Sequence, residues 1–292
     1  MSVKDHVADA NAKAAAAHDA AYARLGEELA ARGLDAGELA GKAAAFRVAV
    51  PSWGVGTGGT RFARFPGPGE PSTVHEKLRD CAVINDLTRI TPGISPHIPW
   101  DMVDDFAALR AEAKELGLHF DAVNSNTFQD SPGQEHSYKF GSLTHVDAAV
   151  RRQAVEHNLR CMEIGQQMGS DALTVWIADG SNFPGQHSIA GAFERYLASM
   201  KEICAGAPAN WRIYVEYKLF EPAFYSTVIC DWGTSLMAAQ ELTLATTRRT
   251  PTSRRSSRGC WPPASWAAST STRTATATTT STAARSTLTA CF

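Results

Sequence analysis

The sequence predicts an α/β fold in which short strands and amphipathic helices alternate around a parallel sheet. Strand-length apolar runs recur five times between residues 47 and 220, and stretches with helical spacing separate them. Strands joined in this way by helices pair in parallel. With 292 residues, 44% of them apolar and 20% charged, the chain can bury a core that needs no disulfide staples.

Taken in order, residues 6–32 are Ala-rich with interspersed Leu, Glu and Arg, and predict a long helix ended near Gly33. Residues 1–44 form an N-terminal helical extension. Arg47–Gly54 reads as the first strand, and residues 73–89 as the helix after it. Ile94–Trp100 is the second extended run, with Asp101 placed to cap the helix that follows. His119–Val123 is the third strand and residues 145–169 its helix, ended by Gly169. Ala172–Ala178 and Arg212–Phe220 are the fourth and fifth strands. Helices are expected near 189–204 and 227–240. The organised unit is therefore 45–241. Both a closed barrel and a doubly wound sheet satisfy this order.

Composition narrows the function. The formal charge of −2 speaks against a dedicated nucleic-acid binder. No apolar run approaches the ~20 residues of a membrane span, and MSVKDHVADANAK lacks the apolar region of a secretory signal. The six cysteines are scattered without a CxxC pair, as expected of reduced thiols in a cytoplasmic protein.

The totals conceal a break. Residues 242–292 contain no Asp, Glu, Lys or His, and 39 of these 51 are Thr, Ala, Ser or Arg. The charge is −9 over 1–241 and +7 beyond. A basic arm and a Ser/Thr-rich stalk both fit poorly, since the first usually adds Lys and Gly and the second is extracellular. A one-base slip in GC-rich coding DNA fits better. It turns Asp, His, Asn and Tyr codons into Thr codons. Residues 242–292 lack apolar periodicity and are expected to stay out of the packed core as a disordered, out-of-frame tail. Sequencing the DNA across codon 241 tests this. An α/β pattern should continue in another frame, and its absence from every frame contradicts the slip.

Gly54-Val55-Gly56-Thr57-Gly58-Gly59 matches GxGxxG and follows a strand. A dinucleotide site needs a helix to begin inside that loop. Pro66, Pro68 and Pro71 forbid a continuing helix here, so the loop reads as a glycine-rich segment at a sheet mouth. Phe62 and Phe65 in it can reach over a pocket or touch a neighbouring subunit.

The fifth strand carries the chemistry. Side chains alternate faces along a strand. Ile213, Val215, Tyr217 and Leu219 share the apolar face, while Tyr214, Glu216 and Lys218 share the other. A carboxylate and an ammonium on an enclosed face need partners. They form either a structural ion pair or a site in which Glu216 ligates a divalent cation and Lys218 meets a polarised oxygen. His97, at the second strand's end, is either a satisfied core residue or part of that site. Trp53, Trp176 and Phe128 are either core or walls for the apolar face of a sugar. Asp179 opens a loop and reads as a turn residue.

These residues carry a resemblance. PSWGVGTGGTRF, SPHIPWD, NSNTFQD, TVWIADGSNFPGQ and YVEYKLFEPAFYSTVI with DWG following resemble bacterial L-rhamnose isomerases of the broad-specificity type, within the xylose isomerase-like barrels. The resemblance implies a (β/α)8 TIM barrel, here incomplete, with about five of eight βα units over 45–241. It implies an aldose–ketose isomerase acting on L-rhamnose and related sugars, a divalent metal, usually Mn2+, and a homotetramer. By that similarity Glu216 is a metal ligand and Lys218 stands near the sugar's C1 oxygen, while His97, Phe128, Trp176 and Trp53 line the pocket. The family's other ligands, Asp and His residues from later strands, have no match after residue 241. The chain as written is therefore expected to be inactive and to bind Mn2+ poorly. A sugar epimerase on the same barrel and a non-enzymatic binding module with a basic tail are the alternatives.

Overall fold

In a computed structural model, the structure describes residues 3–58, 67–183, 187–218, 225–248 and 289–291. Two helices open the chain, α1 (Val3–Ala30) and α2 (Ala36–Ala45). Neither buries a residue. The second was not expected. Its start is fixed by Asp35, whose carboxylate accepts from the Glu38 N–H.

The sheet follows. β1 (Ala49–Pro51) leads into a short α3 (Ser52–Val55), then α4 (Val74–Thr88). The second extended run is split into β2 (Gly93–Ser95) and β3 (His97–Ile98), and is followed by α5 (Phe106–Glu115). The third is split into β4 (His119–Phe120) and β5 (Val123–Ser125), followed by α6 (Ala148–Met168). Next come β6 (Ala172–Trp176), β7 (Gly180–Ser181), α7 (Ile189–Gly206), β8 (Arg212–Glu216), β9 (Ser226–Thr227), α8 (Trp232–Arg248) and β10 (Thr289–Cys291).

The pairing is parallel from β1 to β2, β2 to β4, β3 to β5, β5 to β6 and β6 to β8. Since β2 and β3 are one run of chain, and β4 and β5 another, five βα units lie side by side in chain order. That is the order of a partial (β/α) barrel, with helices over one face. A doubly wound sheet would reverse order part-way.

The two faces of β8 divide as alternation requires. Ile213, Val215 and Tyr217 join the large core cluster with helix residues such as Met162, Tyr196 and Met200. Tyr214 packs separately with Ala122 and Ala172. Leu219 and Phe220 lie outside the described residues, as do Phe62 and Phe65. Cys81, Cys161, Cys204 and Cys230 are free thiols.

Three expectations are corrected. The first strand ends at Pro51, and Trp53 sits on the helical turn after it. Asp105, not Asp101, caps α5, by accepting from the Ala108 N–H. Asp101 is instead buried. Finally, the helix expected to stop near 240 runs to Arg248, and Leu242 is buried in the core cluster. Leu242 falls one helical turn after Ala238 and keeps the apolar stripe in phase. Residues 289–291 pair antiparallel with β8, covering an edge that five strands alone leave open. The remainder of 242–292 lies outside the described residues.

Close packing makes one position on α6 diagnostic. A Cβ at Gly165 would stand 2.6 Å from the Trp211 ring and 2.9 Å from a Val123 methyl. Urea unfolding of Gly165→Ala is expected to show a loss of about 1–3 kcal/mol, the usual penalty of overpacking. Unchanged stability would mean that α6 does not meet the sheet this closely.

Candidate active site

The sequence-predicted residues converge at the C-terminal ends of the strands. Each of the five strand runs supplies at least one. Trp53 follows β1, His97 begins β3, Phe128 lies beyond β5, Trp176 closes β6, and Lys218 lies two residues past β8. Ring contacts link them in that order. Trp53 meets His97 edge-on with centroids 5.7 Å apart, and His97 meets Phe128 likewise at 5.7 Å. Phe128 lies 4.5 Å from Trp176, and the Lys218 Nζ sits 3.9 Å over the Trp176 ring. The last contact is a cation–π pair.

Trp100 completes the cluster, and the sequence reading missed it. Its ring stacks on His97 at 3.4 Å and meets Trp53 and Phe128 edge-on. The signal was available: Trp100 stands three residues after His97, in the same strand-end segment.

His97 is buried, and neither ring nitrogen has a hydrogen-bond partner among the described residues. Burial holds its pKa well below the ordinary imidazole value, with His157, Lys77 and Lys218 adding to the effect. The ring is therefore neutral at neutral pH, with one nitrogen able to donate and the other able to accept. Buried polar atoms without partners are uncommon. They suit a polyhydroxylated ligand.

Glu216 ends β8, half-buried and in register with Trp176. Register partners on parallel strands share a face, so Glu216, Trp176 and Lys218 turn toward the same side. Among the described residues, no three His, Cys, Asp or Glu side chains stand together as a metal site. One carboxylate does not satisfy an oxygen-rich cation that wants six or more ligands. The described residues do not fit a divalent metal centre.

Supporting contacts fix the loops. The Asn126 N–H donates to His157 Nε2, while its side-chain amide donates to the Gln129 carbonyl and to Ser131 Oγ. Together these hold the turn that presents Phe128. Asp179, expected as a turn residue, instead ties distant segments together. It is buried and accepts from the backbone and hydroxyl groups of both Ser142 and Thr144. Burial raises its pKa, partly offset by those bonds.

The glycine-rich loop has a packing role. A Cβ at Gly56 would lie 2.5 Å from the Pro71 carbonyl and 2.9 Å from the Lys77 stem. One at Gly58 would lie 2.6 Å from Trp53 Cβ. The helix here, α3, ends before Gly56 and Gly58 rather than opening from them.

Comparison with known proteins follows this geometry. No protein-family model matches the chain. A "probable sugar isomerase" of Rhizobium meliloti (strain 1021) is 65% identical over 221 residues, 76% of this chain and 51% of that protein. The chain is sugar isomerase-like in sequence. A second "probable sugar isomerase", from Mesorhizobium japonicum, is 60% identical over 221 residues, with the same coverage. The chain spans about half the length of the curated relatives it matches. Among solved structures, an L-ribulose 3-epimerase aligns with a TM-score of 0.49 and 15% identity, over 68% of this chain and 57% of that one. A D-allulose 3-epimerase from Methylomonas sp. aligns at 0.47 and 14%, over 68% and 60%. Among the described residues no helix is long and apolar enough to cross a membrane.

The buried His157 has a measurable consequence. Burial lowers its pKa from 6.5 to about 4. Between those values the unfolded chain takes a proton that the folded chain refuses. Stability therefore falls as pH drops through this window. Relative to His157→Gln, the native chain is expected to lose about 3 kcal/mol more between pH 6.5 and pH 4 in denaturant titrations. Parallel pH profiles for the two proteins would contradict the assignment.

Proposed function

We propose that the strand ends of residues 49–218 form the sugar-binding half of an aldose–ketose isomerase site, and that its sugar is L-rhamnose or a close relative. The observation that carries this reading is the continuous path from Trp53 through His97, Phe128 and Trp176 to Lys218. Aromatic faces suit the C–H face of a sugar ring, and a neutral imidazole can exchange hydrogen bonds with a hydroxyl. In this reading Lys218 donates to the oxygen on the reacting carbon. A fixed ammonium there stabilises negative charge as it develops on that oxygen. The nearby indole and phenyl rings exclude water, which strengthens the interaction.

The alternative of an epimerase requires an acid/base pair flanking one carbon, and Glu216 supplies one carboxylate of such a pair. The isomerase reading is preferred because the chain is 65% and 60% identical to two probable sugar isomerases over 221 residues.

In the same proposal the chain as written is a binding-competent, catalytically silent protein. Glu216 is one member of a Mn2+ ligand set whose other members were lost after residue 241. Titration with L-rhamnose is expected to quench tryptophan fluorescence saturably, with a dissociation constant on the order of 1–10 mM. Ketose formation with added Mn2+ is expected to be undetectable. Restoring the reading frame after residue 241 should return Mn2+-dependent turnover, and Glu216→Gln in that restored chain should abolish metal binding and turnover together. Absence of sugar-dependent quenching would overturn the pocket. Robust turnover by the chain as written would overturn the claim that its ligand set is incomplete.

A further inference from the structure

Asp101 lies outside the aromatic path, yet three donors converge on it. Lys77 Nζ approaches one carboxylate oxygen at 2.7 Å. The Ser52 hydroxyl and the His97 N–H both donate to the other, the latter at 2.8 Å. The Asp101 N–H donates back to the His97 carbonyl at 2.8 Å. Lys77 and Asp101 are almost fully shielded from water, and Ser52 is fully so.

Ser52 is the residue before Trp53. The carboxylate thus grips the backbone of His97 directly, and that of Trp53 one residue away. It joins the ends of the first and second strand runs, where those two rings meet edge-on. Lys77 comes from α4 and makes the buried carboxylate tolerable as an anion. The glycine loop closes over the pair, because only a residue without Cβ lets the chain pass the Lys77 stem at Gly56. Gly56 thereby has a packing use beside the ion pair.

We propose that Asp101 is a positioning residue for the sugar pocket. It sets the relative placement of His97 and Trp53, and Lys77 pairs with it. The inference rests on the sugar-pocket reading for its binding readout and on ring geometry alone for its spectroscopic one.

The geometry makes a directional claim. In Asp101→Asn only one side-chain oxygen remains to accept. The buried Lys77 ammonium takes it, because a charged donor binds more strongly than neutral ones. The amide NH2 then faces the His97 N–H, donor against donor. When Lys77→Met is added, that competitor is gone, and the amide oxygen is free to turn back to His97 and Ser52. The double variant should therefore restore what the single variant loses.

The test uses the full chain and compares wild type, Asp101→Asn, Lys77→Met/Asp101→Asn and Ser52→Ala. Far-UV circular dichroism establishes folding. Near-UV circular dichroism reads the coupled aromatic rings, and L-rhamnose titration by tryptophan fluorescence reads the pocket. Asp101→Asn is expected to weaken L-rhamnose about tenfold and flatten the near-UV bands, while the double variant returns to within about threefold of wild type. Ser52→Ala is expected to lose a few-fold, about what one hydrogen bond contributes. A role in stability alone would leave affinity in the folded single variant unchanged, or leave the double variant as weak as the single. Either result overturns the proposal. Should Asp101→Asn fail to fold, a folded double variant near wild-type affinity supports it, and one about tenfold weaker overturns it. If wild type binds no sugar, the pocket reading fails. The near-UV loss in the single variant and its recovery in the double then decide the positioning claim alone.

Discussion

Two opposite charges, Lys77 and Asp101, meet at 2.7 Å where neither touches water. Removing charges from solvent costs several kcal/mol for each ion, and the attraction between them repays it only when every remaining lone pair is used. Beside Lys77, Asp101 accepts two further bonds, from Ser52 and from the backbone of His97, which go far toward that condition. The requirement to satisfy a buried carboxylate thus dictates where the first two strand ends sit. The aromatic rings they carry inherit that placement. At Gly56 the chain passes closely against the Lys77 stem.

From that anchor the rest follows from parallel strand geometry. Strands in chain order present their C-terminal ends side by side, so residues distant in sequence become neighbours. Trp53 and Lys218 are separated by most of the organised chain, yet a path of ring contacts joins them. The same enclosure that stacks the rings keeps His97 neutral and leaves its nitrogens without partners among the described residues. In the proposed reading, apolar faces, a neutral imidazole and a held ammonium together suit a molecule that is apolar on one side and hydroxylated on its edges. A sugar has that character.

Much of this was legible in the sequence. The alternation along Arg212–Glu216 separated Ile213 and Val215 from Tyr214, and the structure divides them between two clusters along that line. Positions 53, 97, 128, 176 and 218 were legible because each closes or follows a strand. What escaped were features set by tertiary contacts. Asp101 looked like a cap because it precedes a helical pattern; its burial depends on Lys77, which lies 24 residues earlier in the chain. Trp100 looked like the end of a strand, and only the stack on His97 gives it a role. Leu242 was assigned to the tail on composition, while helical phase carried it into the core. The packing of the glycine-rich segment against Lys77 and Trp53 cannot be inferred from local pattern.

The most direct measurement is 19F NMR of the full chain labelled with 5-fluorotryptophan, during titration with L-rhamnose. Resonances are assigned by replacing each tryptophan with phenylalanine. The expected result is that Trp53, Trp100 and Trp176 shift together and saturably while Trp211 and Trp232 stay fixed. Shifts confined to Trp211 or Trp232, or none at all, would contradict a sugar pocket at the strand ends.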